Sequence, residues 1–166
     1  MGALVLACEK DAGHAQSPAL ADRDDVELRR VPARPGKDEV DPLLKGLDGR
    51  RLVVIGTDAD LAAVALRLLR ADRLRDVTVG YVPAEADSTV ASLWDLPLDG
   101  GRAVDVALTG EVDPVPLIRD DSGGVLVGRG VIGPIRGMAY CDEAVVLRGQ
   151  ASRITVSPDP DRGAGL

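Results

Sequence analysis

Thr57-Asp58-Ala59-Asp60 follows directly on the apolar run Val53-Val54-Ile55-Gly56. It sets two carboxylates two residues apart, where a polar turn meets the start of a helical pattern. Asp58 and Asp60 at that spacing suit a shared divalent cation, which takes oxygen ligands. Asp58 also stands where it would cap the helix that follows, and that N-cap or turn role is the plainer reading. Gly56 has no Cβ, so backbone N–H groups beside it can approach a phosphate closely. Other chemistry-bearing residues are sparse. His14 titrates near neutrality but sits in a loop with no partner nearby in sequence, and reads as a surface residue. Cys8 ends an apolar run and reads as a small core hydrophobe. Cys141 stands beside Asp142 and Glu143, whose charge disfavours a thiolate. Gly128-Arg129-Gly130-Val131-Ile132-Gly133 spells the dinucleotide fingerprint, yet Pro134 follows at once and no helix opens there, so it reads as a glycine-rich turn. Asp159-Pro160-Asp161-Arg162-Gly163 begins like a calcium loop without its bidentate Glu and reads as a polar tail. Arg29-Arg30 and Arg50-Arg51 read as solvated strand ends.

The composition narrows the classes of function. The 166 residues amount to one domain, or one domain with a small appendage. Hydrophobic residues make up 45% and aromatics only 2%, with no Phe, so the core rests on Val, Leu, Ile and Ala. Scarce aromatics and a net charge of −7 exclude base stacking and a field that attracts nucleic-acid phosphates or anionic membrane. Two Cys and one His exclude a disulfide framework, a zinc site and a His-rich metal centre. The opening run Ala3–Cys8 is stopped by Glu9-Lys10-Asp11 and reads as a strand, too short for a membrane span or signal peptide. A cytoplasmic protein without an integral membrane segment is expected.

The elements that must position Asp58 follow from periodicity. Ala3–Cys8 and Val26–Val31 read as strands, Ala12–Asp25 as a loop, and Lys37–Leu47 as a short helix with Val40, Leu43, Leu44 and Leu47 on one face. Arg51–Gly56 is a β-branched run suited to burial on both faces. Leu61–Leu74 places apolar residues at 61, 64, 65, 68 and 69, a helical stripe. Val77–Val82 is the next strand, and Ser88–Trp94 a short helix ended before Pro97. Residues 1–98 therefore alternate strand and helix as an open, mainly parallel α/β sheet requires. From Asp99-Gly100-Gly101 onward the texture becomes short strands between Gly, Asp and Pro: Ala103–Leu108, Pro116–Ile118, Gly124–Val127, Ile135–Tyr140, Ala144–Leu147 and Arg153–Val156. Residues 99–166 are expected to form a small antiparallel β unit with a frayed tail.

Gly56-Thr57-Asp58-Ala59-Asp60 resembles the Gly-Gly-Asp-Gly-Thr turn of the diacylglycerol kinase, lipid kinase and NAD kinase superfamily. Pro83-Ala84-Glu85-Ala86-Asp87-Ser88-Thr89 sits where that family carries a proline and a Gly-Thr-x-Asn-Asp segment, and Leu93-Trp94-Asp95-Leu96-Pro97 resembles its Gly-Leu-Pro ending. Ala12-Gly13 is similar to the close of its Asn-Pro-x-Ala-Gly turn, Cys141-Asp142-Glu143 to its Asp-Gly-Glu segment, and Ile154–Pro158 to its closing strand. The order and spacing of these segments agree over nearly the whole chain. The resemblance implies an α/β nucleotide-binding domain followed by a β-sandwich, with ATP phosphates and substrate between them. It further implies that Gly56, Thr57, Asp58, Ala59, Asp60, Glu85, Ser88 and Thr89 line the nucleotide site, that Asp58 and Asp60 hold a metal, and that Asp58 and Glu143 carry catalysis, Glu143 as general base. A strand-end glutamate in solvent is the plainer reading of Glu143.

The departures from that pattern shape the expected function. Thr57 and Ala59 replace glycines, Asp60 replaces the threonine, and Glu85 and Ala86 replace the Gly-Thr of the second turn, with Ser88-Thr89 in place of Asn-Asp. Glu9, Asp60 and Glu85 would bring negative charge toward a polyanion, at about 1 kcal/mol per like pair in water and about 4 near a protein surface. The β-rich part is also shorter than that of the lipid kinases. A degenerate, non-catalytic protein is expected, binding a ligand or protein partner or assembling with itself. The alternative is an active lipid or small-molecule kinase using ATP and magnesium.

Overall fold

The computed structural model describes residues 2–9, 20 and 23–159. The expectations for Lys10, Ala12-Gly13, His14 and the tail beyond Asp159 lie outside those residues. Strands β1 (Ala3–Glu9), β2 (Val26–Pro32), β3 (Arg51–Gly56) and β4 (Val79–Pro83) form one all-parallel sheet in the order β2-β1-β3-β4. Among the described residues, helices α1 (Lys37–Lys45), α2 (Asp58–Arg70), α3 (Thr89–Leu93) and α4 (Gly100–Thr109) accompany the sheet.

The two central strands are apolar at every interior position because both of their faces are covered. Leu4, Leu6, Leu52 and Val54 share one core with Val40 and Leu44 of α1 and Val64 and Leu68 of α2. Ala3, Val5, Val53 and Ile55 share the other with Ala103, Val104 and Ala107 of α4. Arg67 locks the two helices of the first layer together, its Nε and Nη2 lying 2.8 and 2.7 Å from the two carboxylate oxygens of Asp41.

Helix α4 corrects the reading of Ala103–Leu108 as a strand. Val104, Val106 and Leu108 do alternate, but Ala103, Val104 and Ala107 form the buried stripe, which is helical spacing. Asp99, read as part of a turn, is the N-cap and accepts from Arg102 N at 3.0 Å. Gly100 and Gly101 lie in the first turn, where their poor helix propensity masks the start in the sequence. The second residue of Arg50-Arg51 is likewise no solvated strand end. Arg51 reaches across to α4 and donates to Ala107 O (3.2 Å) and Gly110 O (2.8 Å), satisfying carbonyls at the helix terminus. Arg50 donates to Glu27 Oε2 (2.6 Å) and Gly46 O (2.8 Å), tying β2 to the end of α1.

Beyond α4 the chain is built of short antiparallel pairs. β5 (Ile118–Arg119) pairs with β6 (Val125–Leu126), β7 (Gly130–Ile132) with β10 (Ile154–Val156), and β8 (Ile135–Cys141) with β9 (Ala144–Ala151). β7 lies inside the glycine run read as a turn. Its flanking glycines serve close packing: a Cβ on Gly128 would stand 2.6 Å from Thr89 Oγ1, and one on Gly133 would stand 2.9 Å from Arg153 Cα. The β-rich part is anchored to α3 by Trp94, whose indole N–H donates to Val127 O at 3.0 Å.

Candidate functional site

In this strand order the chain leaves β1 toward β2 and then crosses back to β3, so the connections diverge between β1 and β3. The crevice beyond the carboxyl ends of those two strands is where open parallel sheets receive ligands. The turn from β3 into α2 lies there. Thr57, not Asp58, is the N-cap of α2, and it forms a reciprocal capping box with Asp60. The Asp60 carboxylate accepts from Thr57 N and Thr57 Oγ1, both at 2.8 Å, and from Arg34 N at 2.6 Å. It is only 2% exposed. Gly56 makes room for it, since a Cβ there would lie 2.7 Å from Asp60 Oδ2.

Asp58 occupies the first turn of α2 and reaches sideways to the connection between β4 and α3. Its Oδ1 accepts from Ser88 Oγ (2.5 Å) and lies 3.0 Å from the Tyr81 hydroxyl, which also contacts Gly56 O. Its Oδ2 accepts from Thr89 N and Thr89 Oγ1 (2.7 Å each) and from Val90 N (3.2 Å). Burial alone would raise the Asp58 pKa; the Ser88 and Thr89 hydroxyls and the Val90 and Thr89 amides outweigh it and hold the carboxyl below its ordinary value. Burial, followed by the Asp58 charge, drives the Tyr81 phenol well above its own. Cys8, at the end of β1, is pushed up to about 12 by burial and the nearby Asp60 charge, so it is a neutral thiol.

No protein-family model and no curated protein matches the chain. The geometry therefore carries the functional reading. It brings Asp58, Ser88 and Thr89 into one hydrogen-bonded group, and Gly56, Thr57 and Asp60 into another. Ala59 is half-buried in α2 and Glu85 is exposed in the second turn. Glu143 is exposed in the two-residue turn between β8 and β9 and makes no hydrogen bond or ion pair to the other candidates. Asp58 and Asp60 turn their oxygens to different donors, and among the described residues no group of three or more His, Cys, Asp or Glu is placed to hold a metal ion. An ionised carboxylate has about four lone-pair directions. Asp58 already meets five donors, so a cation there would have to displace them.

Beside α3 an open cleft of about 570 Å³ is lined by Ser88, Thr89, Ser92, Leu96 and Arg129, among others. Arg129 N donates to Thr89 Oγ1 at 3.0 Å, which joins the cleft wall to the Asp58 network. Tyr81 and Arg129 escaped sequence reasoning. For Tyr81 one clue existed: an aromatic hydroxyl at a core-facing strand position needs a buried partner.

Proposed function

We propose that this chain is a minimal, degenerate relative of the lipid-kinase and NAD-kinase fold that binds a ligand or protein partner without transferring phosphate. One observation carries the reading: the N–H groups at both turns are filled by the chain's own carboxylates. Asp60 takes Thr57 N, and Asp58 takes Thr89 N and Val90 N. A phosphate cradle works because such donors point at the ligand with no Cβ in the way. Here they point at side chains, and Thr57 and Ala59 add bulk where that cradle has glycine. The four-stranded parallel sheet with its crevice at β1 and β3 agrees with the resemblance in general architecture. The open cleft beside α3 supplies a place for a small ligand.

The test is thermal and chemical denaturation with and without millimolar ATP and magnesium. A nucleotide at 100 times its dissociation constant would add about 2.7 kcal/mol; none of this is expected for the wild type. Asp60→Ala vacates Thr57 N and Arg34 N, and a folded variant should gain measurable stabilisation from ATP. A clear gain by the wild type, or phosphate transfer to a lipid or to NAD, would overturn the proposal. A folded Asp60→Ala protein indifferent to ATP would show that this carboxylate is not what closes the turn.

A further inference from the structure

The open cleft beside α3 carries charges that the chain leaves unpaired. Asp87, Asp95 and Arg129 line it together with Ala91, Leu96 and Leu98. None of the three charged side chains makes an ion pair or a hydrogen bond among the described residues. Two carboxylates and a guanidinium that border one cleft without closing on each other are open to a ligand carrying both signs. The backbone beneath them is fixed. Asp95 stands at φ 50° just past α3, where Leu96 N donates to Ala91 O at 2.9 Å as the helix ends. Arg129 is tied to the same helix by its own N–H on Thr89 Oγ1, and Val127 by the indole of Trp94, each at 3.0 Å. The Thr89, Val90 and Ala91 amides are already taken by Asp58 and Ser88, which leaves Arg129 to receive an anionic group.

We propose that this cleft binds a free basic α-amino acid of the lysine or arginine type. The inference rests on the reading of the chain as a ligand-binding protein that transfers no phosphate, and it gives that ligand a chemical class. The charge complement of two aspartates and one arginine is two cations and one anion, which is what such a molecule presents at neutral pH. Its α-carboxylate meets Arg129, whose planar fork can take it bidentately. Its α-ammonium and side-chain cation meet Asp87 and Asp95, while its alkyl stem lies against Leu96 and Leu98. A neutral amino acid leaves one aspartate unmatched, and a phosphate ester brings further negative charge to two carboxylates. The volume of about 570 Å³ is that of a small-molecule site, with room for bridging waters. A net charge of −7 on the chain favours the approach of a cation.

Titration calorimetry of the full chain with L-lysine and with L-arginine is expected to show saturable binding. Three probes each remove one charge: lysinamide the carboxylate, Nα-acetyl-lysine the α-cation, and norleucine the side-chain cation. Each should bind about fivefold more weakly than lysine, the worth of one partly solvated ion pair. Arg129→Gln keeps the backbone contact to Thr89 and should weaken lysine by a similar factor while leaving lysinamide unchanged. Asp87→Asn and Asp95→Asn should each weaken lysine. These side chains are exposed, and circular dichroism of each variant establishes that it is folded. Absence of binding by both lysine and arginine overturns the proposal. So does equal binding of lysine and the three probes, or an Arg129→Gln protein that weakens lysine and lysinamide alike. Parallel titrations with ATP and magnesium separate the two readings. If lysine, arginine and ATP are all silent, the ligand class alone falls; if the wild type binds ATP, the reading of the filled turns falls, whatever lysine does.

Discussion

Asp58 gathers five donors around one carboxylate, drawn from β4, from the N-cap of α3 and from the first residues of that helix. It therefore works as a bracket between the two turns rather than as a free acid or base. Asp58→Asn keeps the shape but turns an amide N–H₂ toward hydroxyl or backbone donors, of which only Tyr81 has a second acceptor, Gly56 O. The expected loss is about 2–3 kcal/mol at neutral pH by urea denaturation, the range for stranding hydrogen bonds to a charged group. The folded-state pKa of Asp58 is depressed, so its contribution is complete above the ordinary value of 3.8 and lost as pH falls through the lower folded value. The gap between wild type and Asp58→Asn should accordingly narrow in acid; a gap independent of pH would mean the charge is not what matters. The sequence marked Asp58 and Asp60 as special because of their place after a buried strand. It did not assign their partners, since Tyr81, Ser88, Thr89 and Arg34 lie more than twenty residues away along the chain. Local spacing carries caps and turns. It carries no information on which distant hydroxyl folds onto them.

Helix α4 rests directly on strand β4, and Gly80 is the point of contact. A Cβ at Gly80 would come within 2.9 Å of the Ala107 carbonyl carbon, backbone against backbone, with no flexible side chain to yield. Gly80→Ala should therefore cost about 3 kcal/mol, the upper part of the usual range for overpacking, measured as a fall in the urea midpoint at unchanged slope. A neutral result would show that α4 shifts freely on the sheet. Elements with strong single-period patterns were legible: β3 from its β-branched run, α2 from its stripe of Leu and Val, β8 and β9 from their turns. α4 was not, because Val104, Val106 and Leu108 mimic a strand and two glycines occupy its first turn. Its true face is Ala103, Val104 and Ala107, and the two alanines bury little area each and leave a weak period in the sequence. That same smallness is what lets it lie so close to Gly80. The strand pairs beyond residue 117 were recognised as short and antiparallel, but β7 was hidden in its glycines.

The molecule as a whole should show a flat stability plateau with two edges. One histidine in the sequence leaves little to titrate over roughly pH 5 to 8. On the acid side, hydrogen bonds from Arg67 lower Asp41, and those from Arg50 and Arg29 lower Glu27, in the same direction as Asp58. Stability they provide is present above their ordinary values of 3.8 and 4.5 and fades as pH falls through the depressed ones. On the alkaline side the Cys8 thiol ionises near 9.0 when unfolded but only at about 12 in the fold, so stability declines from about pH 9 upward. Denaturation midpoints from acid to alkali should trace that shape, and Cys8→Ser should soften the alkaline edge; a slope through neutrality would contradict it. The position of β1 has a consequence of another kind, for the order in which the chain becomes structured. Strand β1 sits in the interior of the sheet, and its inner neighbour β3 begins roughly fifty residues later, with Ala3 paired to Arg51. Closing so long a segment is entropically slow, and no local hairpin can substitute for it in a parallel sheet. During translation Leu4, Val5 and Leu6 can pair with β2 along one edge, but their other edge must wait, apolar on both faces, until β3 has left the ribosome. An interior strand of such a sheet needs shelter along one edge for as long as the chain between it and that partner is still being made.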